Sequence, residues 1–166
     1  MLIEVKVSGL TIDPITNTPI VILKDLEEKK VIPIWIGIFE ASAIATELEK
    51  IAFSRPMTHD LITEILRSLS IRVTRVEISD LKNNTFFANI CLLHGNGNVI
   101  VDARPSDAIA IALRSNAPIY VDDKVINMSR DIDFGTKITD IDNIKKEQLK
   151  EFLENLSPDD FGKYKM

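Results

Sequence analysis

Residues 32–48 read IPIWIGIFEASAIATEL and residues 99–113 read VIVDARPSDAIAIAL. When the two stretches are aligned, the segment Ser42–Ala45 falls on Asp107–Ala110. In both stretches an apolar run typical of a strand continues directly into a helix of small residues. The chain therefore carries the same strand-to-helix frame twice, which indicates an internal duplication.

Apolar runs and turn signals predict a strand-strand-strand-helix unit in each half of the chain. The two units cover about residues 1–52 and 70–116, and a helix over 58–69 links them. We expect an α+β fold in which mainly antiparallel sheet is packed against helices. This domain spans 1–125, and residues 126–166 are predicted to form an acidic C-terminal helical tail.

The two copies of the frame carry different polar groups. The first junction has Trp35, Gly37 and Glu40, and the second has Asp102, Arg104, Ser106 and Asp107. A duplicated scaffold with unequal polar groups suggests that one copy has been adapted into a functional site.

Composition excludes several classes of protein. A hydrophobic content of 45% is sufficient for a packed interior. Charges interrupt every apolar run, so none reaches the roughly 18 residues of a membrane span. The alternating start MLIEVKVSGL is typical of a strand rather than of a signal peptide, and the single Cys91 suits a reducing compartment. We therefore expect a cytoplasmic protein without a membrane partner.

The net charge of −5 argues against a protein that coats nucleic acid passively. Six arginines nevertheless lie within residues 51–116. Arginine binds phosphate or carboxylate with two parallel hydrogen bonds, which suits recognition of either group. The same arginines could equally form ordinary surface ion pairs.

Local signals fix several helix ends. Asp60 falls in the first turn of the linking helix, where a carboxylate interacts favourably with the helix dipole. Pro105 suits the first turn of the second repeat helix, whose amides Ser106 or Asp107 can cap. Ile119–Val121 is predicted as a short edge strand and Lys146–Asn155 as a helix of the tail.

Two motifs concentrate reactive groups at helix starts. Residues 55–60, RPMTHD, bring an arginine, a histidine and an aspartate together, and residues 102–108, DARPSDA, bring two carboxylates, an arginine and a serine. A strand that leads into a helix exposes backbone N–H groups that bind anions. Taken singly, each motif also has a structural interpretation, with the aspartates as helix caps and Arg104 as a clamp on a carboxylate.

Together the motifs resemble a known family. The strings W-I-G-x-x-E-A-x-A-I-A, R-P-x-T-H-D and D-A-R-P-S-D-A-I-A-x-A-L-R occur in order at residues 35–45, 55–60 and 102–114. This pattern resembles the bifunctional nuclease family over about residues 1–125. The resemblance implies nuclease activity toward RNA and DNA, which is shown for plant members of the family.

Hydrolysis of a phosphodiester needs an activated water, stabilisation of negative charge and help for the leaving oxygen. Histidine, with an unperturbed pKa of about 6.5, suits the role of general acid or base. The predicted catalytic residues are His59, Asp60, Arg104 and Asp107. Arg55, Ser106 and Arg114 are predicted to bind substrate. Glu40, Asp102 and Asp107 are the predicted ligands of Mg²⁺ or Mn²⁺, which prefer oxygen, and no organic cofactor is expected.

Two other interpretations remain open from the sequence. The protein could be a non-enzymatic oligomeric module in which Arg104 and Asp107 bind a small anion or a protein partner. Both motifs could also brace the interface between the repeats. The repeated architecture and the predicted edge strand make a homo-oligomer, first of all a dimer, the expected assembly.

Overall fold

The computed structural model describes residues 1–130, which form a single sheet packed against helices. The strands are β1 Leu2–Ile12, β2 Pro19–Asp25, β3 Val31–Trp35, β4 Ile71–Lys82, β5 Thr85–His94, β6 Gly97–Ala103 and β7 Ile119–Asp122. The helices are α1 Ile38–Leu48, α2 Thr58–Ser68, α3 Pro105–Ser115 and α4 Asp123–Arg130. The predicted α+β class is confirmed, with seven strands in the described part of the chain.

The sheet has the strand order β3-β2-β1-β7-β4-β5-β6. Two antiparallel meanders, β1-β2-β3 and β4-β5-β6, are joined by β7, which runs antiparallel to β1 and parallel to β4. The prediction of an edge strand at Ile119–Val121 was therefore wrong. The segment is hydrogen-bonded on both sides, and its backbone pairing continues at Val76 with Pro118 and at Asp123 with Met1.

The core lies between the helices and one face of the sheet. Ala108, Ile109 and Ala110 of α3 are fully buried and belong to the hydrophobic core together with Val76 and Ile90 of the strands. Their small side chains allow α3 to approach β4 and β5 closely, and both α1 and α2 pack on α3. Helix α3 is therefore the centre of the helical layer.

Helix α4 follows β7 directly and buries Val125 and Ile126. The described residues therefore continue as packed structure beyond 125, the predicted end of the domain. That domain division and the internal duplication stay predictions, and the predicted helix Lys146–Asn155 lies outside the described residues. None of the helices within residues 1–130 has the length and apolar character needed to cross a membrane.

Candidate active site

Three helices begin close together and each has one carboxylate in its first turn. These carboxylates are Glu40 of α1, Asp60 of α2 and Asp107 of α3. Arg104, the residue before α3, donates from Nε to Asp107 Oδ2 at 2.8 Å and from Nη1 to Glu40 Oε1 at 2.8 Å. His59 Nε2 lies 2.9 Å from Asp107 Oδ1. We call Glu40, His59, Arg104 and Asp107 the helix-start cluster.

The members of the helix-start cluster differ in their access to solvent. The His59 side chain is 13% exposed, Glu40 20%, Asp107 28% and Arg104 66%. The arginine therefore forms the outer layer of the cluster and the histidine the inner layer. The helix starts are already occupied by carboxylates of the chain, so Arg104 is the cationic group that the cluster presents to solvent.

An ion pair between Asp60 and Arg114 adjoins the helix-start cluster. Arg114 Nε donates to Asp60 Oδ1 at 2.6 Å, and Nη1 donates to the Ala110 carbonyl at 3.0 Å. Asp60 Oδ2 also accepts the Met57 backbone N–H at 3.0 Å and so caps α2. The Arg114 side chain is only 6% exposed. Arg114 and Asp60 thus join α2 to α3, with the guanidinium buried and the carboxylate 36% exposed.

The carboxylates at the starts of α2 and α3 are held in the charged form. Burial acts to raise the pKa of Asp107, but hydrogen bonds from Arg104 and His59 outweigh it and lower the pKa below its ordinary value. Burial likewise opposes the lowered pKa of Asp60, where the hydrogen bond from Arg114 and the cap on Met57 prevail. Both groups are therefore ionised at neutral pH.

These lowered pKa values predict acid-sensitive stability. Asp60 and Asp107 have folded-state pKa values below 3.8, the ordinary value for the unfolded chain. Their contribution is complete above about pH 5 and is lost as the pH falls through the lower folded-state values. Thermal unfolding followed from pH 6 to pH 3 should show a falling midpoint. The fall should be shallower in Asp60→Asn and Asp107→Asn, and identical slopes in all three proteins would contradict the assignment.

Gly37 leaves the space that the Glu40 side chain occupies. A Cβ atom at this position would overlap Oε2 of Glu40, whose side chain folds back over the glycine. The Gly37 backbone is extended, with φ −74° and ψ 162°, so the requirement for glycine is one of space rather than of backbone conformation. In the sequence Gly37 stands three residues before Glu40 at the first junction, but that spacing alone does not predict the contact.

We expect Gly37→Ala to destabilise the protein by about 1 kcal/mol, because the new methyl group forces the Glu40 carboxylate away from Arg104. In a Glu40→Ala background the same change should cost almost nothing. Thermal unfolding of the two single variants and the double variant measures this coupling. Additive effects would mean that the methyl group displaces something other than Glu40.

Three predicted site residues lie outside the hydrogen-bonded groups described above. Arg55 is exposed in the loop before α2, and Ser106 is buried in the first turn of α3. Asp102 pairs in register with Asn89, and the neighbouring pair Val101 and Ile90 faces the core. Since side chains alternate along a strand, Asp102 lies on the sheet face away from the helices.

The predicted cap of α3 differs from the structure. Neither Ser106 nor Asp107 acts as the capping residue, because the N-cap position is Arg104 and it makes no side-chain cap hydrogen bond. Pro105 occupies the first turn as predicted, and its missing N–H leaves one donor fewer to satisfy. The Asp107 carboxylate is instead engaged by His59 and Arg104.

The described residues contain no group of three or more His, Cys, Asp or Glu side chains arranged to hold a metal ion. Glu40 and Asp107 converge, but the guanidinium of Arg104 occupies the position between them. A divalent cation there would have to displace the arginine. The predicted ligand set of Glu40, Asp102 and Asp107 therefore does not fit a metal in this arrangement.

The family model of the bifunctional nuclease domain matches residues 21–132, which include the whole helix-start cluster. The chain belongs to the bifunctional nuclease domain family. The predicted resemblance is thereby confirmed. The uncharacterized proteins MT1877 and Rv1829 of Mycobacterium tuberculosis are each 38% identical over 162 residues, covering 95% of this chain and 97% of theirs.

Proposed function

We propose that this bifunctional nuclease domain protein hydrolyses phosphodiester bonds of RNA, DNA or both. The observation that supports the proposal best is the hydrogen-bonded series His59–Asp107–Arg104 at converging helix starts. It combines a titratable base, a carboxylate that orients it and an exposed cation, which are the groups that phosphodiester hydrolysis requires. Membership of the nuclease family adds independent support.

In this proposal His59 is the general base. If Nε2–H donates to Asp107, the other ring nitrogen, Nδ1, carries a lone pair that accepts a proton from the attacking water or hydroxyl. The carboxylate fixes the tautomer and stabilises the imidazolium that forms, as in other histidine–carboxylate pairs. Asp107 is thus a positioning residue for His59, and it also holds Arg104.

Arg104 is the proposed phosphate-binding residue. Its Nε and Nη1 atoms donate hydrogen bonds to the carboxylates of Asp107 and Glu40, whereas Nη2 makes no hydrogen bond within residues 1–130. With two thirds of its side chain exposed, the guanidinium can donate to a phosphate oxygen without leaving the cluster. Arg55, exposed just before α2, is a second proposed contact. Ser106 and Arg114 are buried, so we propose that they support the site rather than touch the substrate.

The net charge of the site affects its affinity for nucleic acid. Three carboxylates, Glu40, Asp60 and Asp107, stand against the two guanidinium groups of Arg104 and Arg114. The site therefore lacks the excess of positive charge that usually supplies most of the affinity for nucleic acid. We also propose Mg²⁺ or Mn²⁺ as a cofactor, with substrate phosphate and water as the main ligands. The roles of His59, Asp107 and Arg104 do not depend on the metal.

We further propose that the protein acts in the cytoplasm as a homodimer.

The alternative is a non-enzymatic module that binds a small anion or a protein partner. One observation favours it, namely that every carboxylate at the three helix starts is already paired with arginine. Against it, Arg104 is largely exposed rather than locked in a dry ion pair. The two functions differ in whether a phosphodiester is cleaved.

The test is cleavage of labelled single-stranded RNA and DNA by purified protein in Mg²⁺, Mn²⁺ or EDTA. Asp107→Asn is the test variant. Asp80→Asn is the matched control, since Asp80 is also a paired carboxylate, bonded to Lys82 at 2.7 Å on β4. We expect cleavage by the wild-type and control proteins and its loss in Asp107→Asn. Equal cleavage by all three would place the activity elsewhere, and no cleavage under any condition would favour the binding module.

A further inference from the structure

The two edges of the sheet are built differently. Strand β3 has five residues and carries Pro33 at its centre, where the missing N–H prevents further strand pairing. Strand β6 has seven residues, pairs with β5 in an uninterrupted register and contains no proline, lysine or bulge. Natural edge strands are normally protected by such devices, because their free N–H and C=O groups can pair with another strand. Within residues 1–130 no strand pairs with the outer edge of β6.

Strand β6 is also apolar at its centre. Val99, Ile100 and Val101 are 47%, 66% and 41% exposed. Val99 and Val101 lie opposite Leu92 and Ile90, on the sheet face that the helices cover, yet the helical layer of residues 1–130 does not shield them. Ile100 lies on the other face, opposite Cys91.

Within residues 1–130, a second exposed apolar surface lies on helix α2 and its C-terminal end. Leu61, Ile65 and Leu69 form a stripe at four-residue spacing with Ile62 beside it, and they are 50%, 49%, 58% and 37% exposed. Helix α2 packs on α3 and on β4, which is two strands away from β6 in the sheet. This stripe is therefore a separate surface from the centre of β6.

We propose that β6 pairs antiparallel with β6 of a second copy of this chain and so joins two sheets into one. The twofold axis of such a pair is perpendicular to the sheet, so both helical layers lie on the same face. The valines of both strands then form one apolar patch on the helical face of the joined sheet. The proposal gives a surface to the dimer proposed above, and it does not depend on nuclease activity.

The sequence of β6 selects one register. In a continuous sheet, residues of the two β6 strands that lie opposite each other must point to the same face. The twofold axis must therefore pass beside a residue that pairs with its own copy, and the central candidates are Val99, Ile100 and Val101. Centring on Ile100 places Val99 opposite the partner copy's valine at position 101 and Asn98 opposite its aspartate at position 102. Asparagine can donate to that carboxylate, whereas centring on Val101 would set each aspartate against an isoleucine.

The first experiment is sedimentation equilibrium of the full chain at micromolar concentrations. We expect a mass about twice the 18.7 kDa of one chain. Ile100→Lys should weaken association by at least about 100-fold, because two like charges would meet at the twofold axis. Ile15→Lys is the matched control, since Ile15 is 74% exposed in the turn between β1 and β2. Circular dichroism establishes that both variants fold.

The second experiment tests the register. In a Cys91→Ala background, Ile100→Cys should form a disulfide-linked dimer on mild oxidation, because paired Cα atoms lie about 4.5–5.5 Å apart, within disulfide range. Asn98→Cys should not, because its two copies would be separated by roughly 14 Å. Cross-linking at 99 or 101 instead of 100 would overturn the register.

A monomeric wild-type chain would overturn the whole proposal, as would a dimer that Ile100→Lys leaves intact. In the first case β6 does not pair with a second copy. In the second case the copies associate through another surface.

Discussion

Replacing His59 with glutamine is expected to lower the rate of RNA or DNA cleavage by about 10²–10⁴-fold, the usual contribution of a general acid or base. Glutamine keeps an N–H that can donate to Asp107, so the contact at 2.9 Å can persist. It cannot accept a proton from water, and only the chemical step should suffer. Steady-state kinetics should therefore show a reduced kcat with little change in KM.

The matched control is His94→Gln, because the chain has two histidines and His94 is exposed at the end of β5. Its cleavage rate should equal that of the wild-type protein. If His59→Gln retained activity within about threefold of wild type at matched stability, His59 would be a structural partner of Asp107 and not the base.

Replacing Arg114 with methionine is expected to destabilise the fold by about 1–2 kcal/mol, below the roughly 3–5 kcal/mol for breaking a fully buried ion pair, because the Asp60 side chain is 36% exposed and water can solvate it. Methionine retains the apolar stem, so the loss comes from the guanidinium. Asp60 would keep its charge without its 2.6 Å partner. For a chain of this size the midpoint of thermal unfolding should fall by about 2–8 °C.

Arg67→Met provides the comparison. Arg67 also lies in the last turn of its helix and pairs with Glu64 at 2.7 Å, but its side chain is 70% exposed. Exposed pairs contribute at most about 1 kcal/mol, so the midpoint should move little. Equal shifts in the two variants would show that burial of Arg114 does not determine the strength of its ion pair.

Alternation and turn signals were sufficient to predict the α+β class, because they are properties of neighbouring residues. The place of β7 was not predictable in this way. Its four residues alternate between buried and half-buried positions, a pattern that an edge strand and a central strand share. Its two partners, β1 and β4, are set by how the meanders dock, which no local signal encodes.

The candidate site shows the same limit. The motifs placed His59, Arg104 and Asp107 at helix starts, and that prediction needed only local signals. The hydrogen-bond partners of these residues could not be predicted from local signals, because His59 and Asp107 are 48 positions apart and Arg104 and Glu40 are 64 apart. Their pairing depends on how α1 and α2 pack on α3. For Asp102, by contrast, alternation with its apolar neighbours already indicated the opposite face.

The central position of β7 has a consequence for how the protein is made. Until residues 119–122 leave the ribosome, the nascent chain can form two separate meanders but cannot join them into one sheet. The helix-start cluster takes Glu40 from one half and Asp107 from the other, so we expect the contact between Arg104 and Glu40 to form only once β7 has joined the halves. A chain released before residue 122 would therefore lack both the joined sheet and this contact.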